Sequence, residues 1–209
     1  MKKYALLTMM IFIILSGSVE AAEYQFGKGA TLFNGSISLS SWDGRIYDQA
    51  DGGALLKYSF EIEAVHFFWN RFGIGPSFRY AGDNDENIEY EDLAIGVTLL
   101  YTFAKTDFRT APYLSITGRY LDQDMVDVVW GRYYDYWSGI ESENYYAYER
   151  SWDGYEVIFG AGLMVKLGEH VMLNNRLTGT MHQLKRSNWS NHRVGRIWAL
   201  STGLSFSLF

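Results

Sequence analysis

Eight stretches of this chain alternate bulky apolar residues with small or charged ones, and that two-residue period decides the secondary structure. Successive side chains of a strand point to opposite faces, whereas a helix repeats near 3.6 residues. In the first stretch Phe33, Ile37 and Leu39 share one face, and Asn34, Ser36, Ser38 and Ser40 share the other. In the second, Leu56, Tyr58, Phe60, Ile62 and Ala64 oppose Lys57, Ser59, Glu61 and Glu63. The fourth sets Leu93, Ile95, Val97, Leu99, Tyr101 and Phe103 against Asp92, Ala94, Gly96, Thr98 and Thr102. The same rhythm recurs around 72–80, 113–120, 155–166, 171–182 and 198–208. Each strand therefore has one greasy and one polar side.

The N-terminus stands apart from this pattern. Lys2 and Lys3 precede an apolar run from Ala5 to Leu15, the plan of a secretory signal, and Val19 and Ala21 occupy the −3 and −1 positions of a cleavage site. Residues 1–21 are expected to be removed, leaving 22–209 as one domain. The run is too short to cross a bilayer of ~30 Å as a helix. A chain that spans a membrane without such helices must do so with closed strands, because lipid satisfies no open backbone groups. There is no cysteine, hence no disulfide framework, thiolate metal site or lipid-carrying Cys. Two prolines beside 16 tyrosines and 13 phenylalanines favour strands. A net charge of −6 argues against nucleic acid as a partner.

Alternation alone leaves the barrel's polarity open, since a soluble lipocalin-type barrel has the same period with its apolar face inward. Three features turn the apolar face outward. The polar face is rich in Gly, Ala, Ser and Thr, which a narrow lumen requires. Aromatic residues, among them Tyr58, Phe72, Tyr80, Tyr101, Phe103, Tyr120, Tyr155 and Trp198, lie on the apolar face, several near strand ends, as in a membrane girdle. Connections near 65–71, 104–111 and 167–170 are short, while those near 42–52, 82–90, 121–153 and 183–195 are mostly longer. The expected fold is an all-β, eight-stranded antiparallel up-and-down transmembrane β-barrel, a single chain in a bacterial outer membrane with both termini periplasmic.

Phe72-Gly-Ile-Gly-Pro-Ser-Phe-Arg-Tyr80, after Phe67-Phe68-Trp69-Asn70, resembles the turn-and-strand signature of outer-membrane barrel domains. Ala111 to Tyr120 resembles the strand that opens their second half. The chain is thus similar to the small outer-membrane β-barrels of Gram-negative bacteria, those of the OmpA transmembrane-domain and OmpX type. The resemblance implies contact with outer-membrane lipid and lipopolysaccharide, and insertion by the barrel assembly machinery through a C-terminal signal ending in Phe209. That signal usually places aromatic or apolar residues at the last, third-last and fifth-last positions. Here Ser207 and Ser205 hold the latter two, while Leu204, Phe206 and Leu208 carry the apolar phase. Either Phe209 leaves the strand or the signal is atypical.

Two regions carry the functional expectations. The inward set includes Lys57, Arg79, Arg119, Lys166 and Arg176 against Glu61, Glu63, Asp92 and Glu156, a nearly balanced network that would close a bore side chains can fill. A small gated ion channel is the alternative for this set. The third external connection, 122–153, carries Trp130, Tyr133, Tyr134, Tyr136, Trp137, Tyr145, Tyr146, Tyr148 and Trp152 among Asp122, Asp124, Asp127, Asp135, Glu141 and Glu143. Tyr and Trp give large amphipathic contact area at low entropic cost, suited to an extracellular protein or glycan ligand. The plainer alternative extends the two flanking strands as a hairpin turning near Ser138-Gly139 or Ser142.

Asp83 to Asn87 reads as a solvated acidic loop tip, lacking the Gly and distal Glu of a hand-type calcium site. Eight-stranded lipid A 3-O-deacylases use a His and a Ser two positions apart near a strand end. Here His182 is followed by Gln183 and Leu184, and His66, His170 and His192 fall in expected connections. No catalytic residue, metal ligand or cofactor is expected. A lipid-A-modifying enzyme remains the alternative to a structural or surface-interaction role.

Overall fold

Every strand of this chain hydrogen-bonds to two neighbours, so the sheet has no edge within the barrel wall. The computed structural model describes residues 25–43, 55–85, 88–104, 108–135, 140–186 and 192–209. The strands are β1 (Thr31–Asp43), β2 (Leu55–Trp69), β3 (Phe72–Asp85), β4 (Ile88–Thr102), β5 (Thr110–Asp135), β6 (Ile140–Lys166), β7 (Val171–Arg186) and β8 (His192–Leu208). They pair in chain order and close β1 on β8, all antiparallel. The signal segment 1–21 lies outside the described residues.

The apolar phase faces outward on all eight strands. Leu39, Leu200 and Tyr155 are 66%, 66% and 70% exposed, while Ser38, Ser201 and Glu156 on the alternate positions are buried. This exterior ends in aromatic rims. At the end holding Gln25 and Phe209, Tyr101 meets Phe103 edge to face at 5.0 Å. At the other end Tyr120 meets Tyr155 at 5.6 Å, and the Tyr120 hydroxyl donates to Asp153 Oδ2 at 3.3 Å. A ring in lipid with its hydroxyl on an acidic residue above is the arrangement a bilayer interface favours.

Strands run further than alternation marks them. β2 and β3 meet at the two-residue turn Asn70-Arg71, where Arg71 takes a left-handed φ of 73°. β3 extends through Asp83, Asn84 and Asp85, which pair with Tyr90, Glu89 and Ile88. The acidic run expected as a loop tip is therefore largely strand, and only residues 86–87 of it lie outside the described part. His66 stands in β2 and His192 in β8 rather than in connections, while His170 is in the turn before β7. Beyond the apolar band a strand needs no greasy face, so periodicity ceases to report it although backbone pairing continues.

The bore has bulky apolar residues at both ends. At the terminal end Gln25 to Ala30 folds across the opening. Phe67 N donates to Ala30 O (2.9 Å), Gly29 N to Phe67 O (2.8 Å) and Arg71 N to Phe26 O (2.8 Å). Phe26, fully buried, sits 5.6 Å from the Phe67 ring and 5.0 Å from Phe108, above Leu100, Met164 and Met172. Phe209 leaves β8 after Leu208, packs against this cluster and lies 4.8 Å from the His170 ring. That resolves the offset in the C-terminal pattern: the last residue turns under the barrel. At the other end Ala94, Leu121, Trp152 and Leu184 form a second buried cluster. Replacing Phe26 by Ala should lower the unfolding free energy by about 3–5 kcal/mol, measured from denaturant midpoints of the barrel refolded in detergent micelles.

Candidate functional site

Between the two apolar clusters the bore is polar and divided into unlike halves. β1 and β8 line one half with Asn34, Ser36, Ser38, Ser40, Ser201, Ser205 and Ser207. β2 to β7 line the other with three arginines and four carboxylates. These seven form one chain of alternating charge. Asp92 Oδ2 accepts from Arg79 Nη2 at 2.7 Å, and Arg79 Nη1 reaches Glu156 Oε2 at 3.0 Å. Glu156 Oε1 is 3.4 Å from Arg119 Nη1. Arg119 Nη2 and Arg176 Nη2 each contact a different oxygen of Glu61. Arg176 Nη1 then lies 3.1 Å and 3.2 Å from the two oxygens of Glu63.

Asp92–Arg79 and Glu156–Arg119 join neighbouring strands, while the remaining links cross the bore. Arg79 on β3 meets Glu156 on β6, Arg119 on β5 meets Glu61 on β2, and Arg176 on β7 meets Glu63 on β2, each three strands away around the closed barrel. Neutral groups fill part of the remaining valences. Ser77 Oγ accepts from Arg119 Nε (2.9 Å) and Nη2 (2.6 Å), while Thr98 Oγ1 (2.8 Å) and Asn34 Nδ2 (3.2 Å) donate to Glu63. A buried charge left without such partners costs several kcal/mol.

Small residues make the arrangement fit. A Cβ on Gly160 would lie 2.4 Å from Ser115 Oγ and 3.2 Å from Arg176 Cδ, and one on Gly162 would lie 2.5 Å from the Tyr113 ring. The glycines thus clear space for Arg176 and for Tyr113, whose hydroxyl donates to Asn174 Oδ1 at 2.7 Å. Beside the serine wall, facing Glu61, Arg79 and Arg119, remains a void of about 30 Å³, room for on the order of two waters.

The structure brings together Glu61, Glu63, Arg79, Asp92, Arg119, Glu156 and Arg176, seven of the nine residues expected in the lumen. Lys166 does not join them. It is the last residue of β6, exposed at the terminal end, with Nζ 5.9 Å from the Phe108 ring centroid. Its inward phase carries it to the barrel's rim. Lys57 is placed by its backbone alone, opposite Ser40. His182 is buried inside the bore, opposite Glu156 in register, with Leu184 two positions on in the apolar cluster. Among the described residues no group of three or more His, Asp or Glu is placed to hold a metal ion.

Segment 122–153 takes the form of the strand-extension alternative: β5 and β6 stay paired from Asp122↔Asp153 to Asp135↔Ile140. Trp130 pairs with Tyr145, Val129 with Tyr146, Asp127 with Tyr148, Tyr133 with Ser142 and Tyr134 with Glu141. Tyr136 and Trp137 lie outside the described residues. Trp152 is not on the outer surface. It is 5% exposed and packs inside the barrel mouth with Leu121 and Leu184, because its even position on β6 shares the inward phase of Glu156 and Ile158.

Sequence reasoning missed both apolar ends of the bore. Leu100, Met164 and Met172 interrupt the small-residue face near strand ends, and that interruption was the available signal. Phe26 gave none, lying outside any alternating stretch.

The sequence matches no protein-family model and no curated protein. Solved structures do match. Neisserial surface protein A (NspA) superposes with a TM-score of 0.58 at 14% identity, over 85% of this chain and 98% of that one. The outer membrane protein OprG from Pseudomonas aeruginosa gives 0.51 at 12% identity, over 90% and 99%. The shared feature is the fold, that of small outer-membrane β-barrels. Replacing Arg119 by Ala, which leaves Glu61 to Arg176 and Glu156 to Arg79 and sets two arginines against four carboxylates, should destabilise the barrel by about 3–5 kcal/mol, measured by chemical denaturation in micelles.

Proposed function

We infer that this chain, exported by the signal at 1–21, is a bacterial outer-membrane barrel whose bore is closed and whose external hairpin is its working surface. The exterior supports the location. A continuous apolar wall with aromatic rims is unfavourable in water and matched to lipid, and closure satisfies the backbone there. Two apolar clusters with an ionic ladder between them support a scaffold fixed by its own contents, rather than a conduit.

The observation that carries the interaction role is the length of the hairpin. β4 stops pairing with β5 at Ile88↔Asp127, and β7 stops pairing with β6 at Arg186↔Trp152. β5 and β6 continue together for eight more register pairs, from Val128↔Ala147 to Asp135↔Ile140. Residues 122–153 hold eight acidic and two basic residues, an excess equal to the net charge of the whole chain. An acidic, aromatic ribbon standing outside the membrane suits recognition of an extracellular protein or glycan.

The test replaces residues 129–146 with a short Gly/Ser turn. This keeps Gln123 and Trp152, which are buried in the barrel mouth. Heat-modifiable gel mobility should persist, while binding of cells to arrayed glycans and extracellular-matrix proteins falls at least about tenfold. Unchanged binding would remove the hairpin as the working surface. Trypsin added to whole cells should cut at Arg132 or Arg150; protection at both would reverse the orientation.

A further inference from the structure

Between Val171 and Met181 on β7 and between Trp198 and Leu208 on β8, no outward position is polar except at one place. Thr202 Oγ1 donates to Asn175 Oδ1 at 3.0 Å, and both side chains are exposed on the outer face, opposite each other in register. Thr202 stands four residues from the exposed Phe206 and four from the exposed Trp198, midway along the apolar band of β8. Leu163 flanks Asn175 in register on β6, and Ile37 flanks Thr202 on β1. On β1 the outward position Gly35 leaves the wall low, since a Cβ there would meet nothing within 4 Å. Among the described residues Asn175 Nδ2 has no acceptor.

Acyl chains accept no hydrogen bonds, and a polar group facing them is unfavourable. At this depth the headgroups and water lie half of a ~25 Å band away in either direction. An acceptor for Nδ2 must therefore come from another protein. A carboxamide carries donors and a two-lone-pair acceptor, so it is complementary to itself across a two-fold axis. Nδ2 of one copy can donate to Oδ1 of the other, using the lone pair that Thr202 leaves. We propose that Asn175 and Thr202 mark the centre of a two-fold interface between two copies of this chain within the membrane, in place of the lone barrel expected from the sequence.

The chain has no cysteine, so one introduced thiol reports alone. Leu177, two residues from Asn175 on the same outward face, is 54% exposed, and Leu99 on β4, diametrically opposite β8, is 37% exposed. Oxidation of outer membranes should link Leu177→Cys into a dimer of twice the chain mass and leave Leu99→Cys unlinked. Adding Asn175→Leu to Leu177→Cys should abolish the link. In detergent, Asn175→Leu alone, checked as folded by heat-modifiable mobility, should weaken the dimer by about tenfold, the effect of two polar bonds at intramembrane strength. Equal linking at Leu177 and Leu99, linking of Leu177→Cys only to a different protein, or an unchanged mass distribution for Asn175→Leu would each overturn the interface.

Discussion

A peptide group in the interior of a bilayer has no water to bond, and that single deficit shapes this molecule. Eight strands satisfy it by pairing β1 with β8, which removes every edge from the wall. Closure with so few strands leaves a bore only as wide as the side chains that fill it. The inward residues must then be small, or long and mutually paired, and both solutions are present. Serines of β1 and β8 yield volume, and arginines and carboxylates of β2 to β7 occupy it.

The ionic ladder does more than neutralise charge. Its three main links span the bore between strands that share no hydrogen bonds, so they fix opposite walls against one another. Coulomb attraction is strong where water is scarce, and bonds from Ser77, Thr98 and Asn34 meet valences the ion pairs leave open. With three arginines and four carboxylates among the described members, the ladder carries one more acid than base. The apolar clusters at both ends keep this group from bulk solvent, which preserves the low dielectric its pairing depends on.

The outer surface obeys the opposite rule, and its exceptions are informative for that reason. In the aqueous zone β5 and β6 are free of the apolar requirement and carry most of the chain's acid excess. Within the apolar band, Asn175 and Thr202 break the requirement and bond to each other. A barrel standing alone leaves the Asn175 amide facing lipid, whereas one paired through this wall does not.

The sequence by itself determined the strand phase, the outward apolar face and seven of the lumen residues, because alternation is a local consequence of backbone geometry and each strand reports it independently. It did not reveal where strands end beyond the membrane, since Asp83 and Asp127 pair in the sheet without any periodic demand on their side chains. Nor could it assign partners within the lumen. Glu63 sits beside Asn34 in register, yet reaches Arg176, 113 residues away, because only barrel closure brings β7 opposite β2. The same closure packs Phe26 and Phe209 together at the terminal end, whereas Lys166 and Trp152 follow their strand phase to the rim and into the mouth. Phase is written strand by strand; contact across the bore exists only once the sheet has curved round to meet itself.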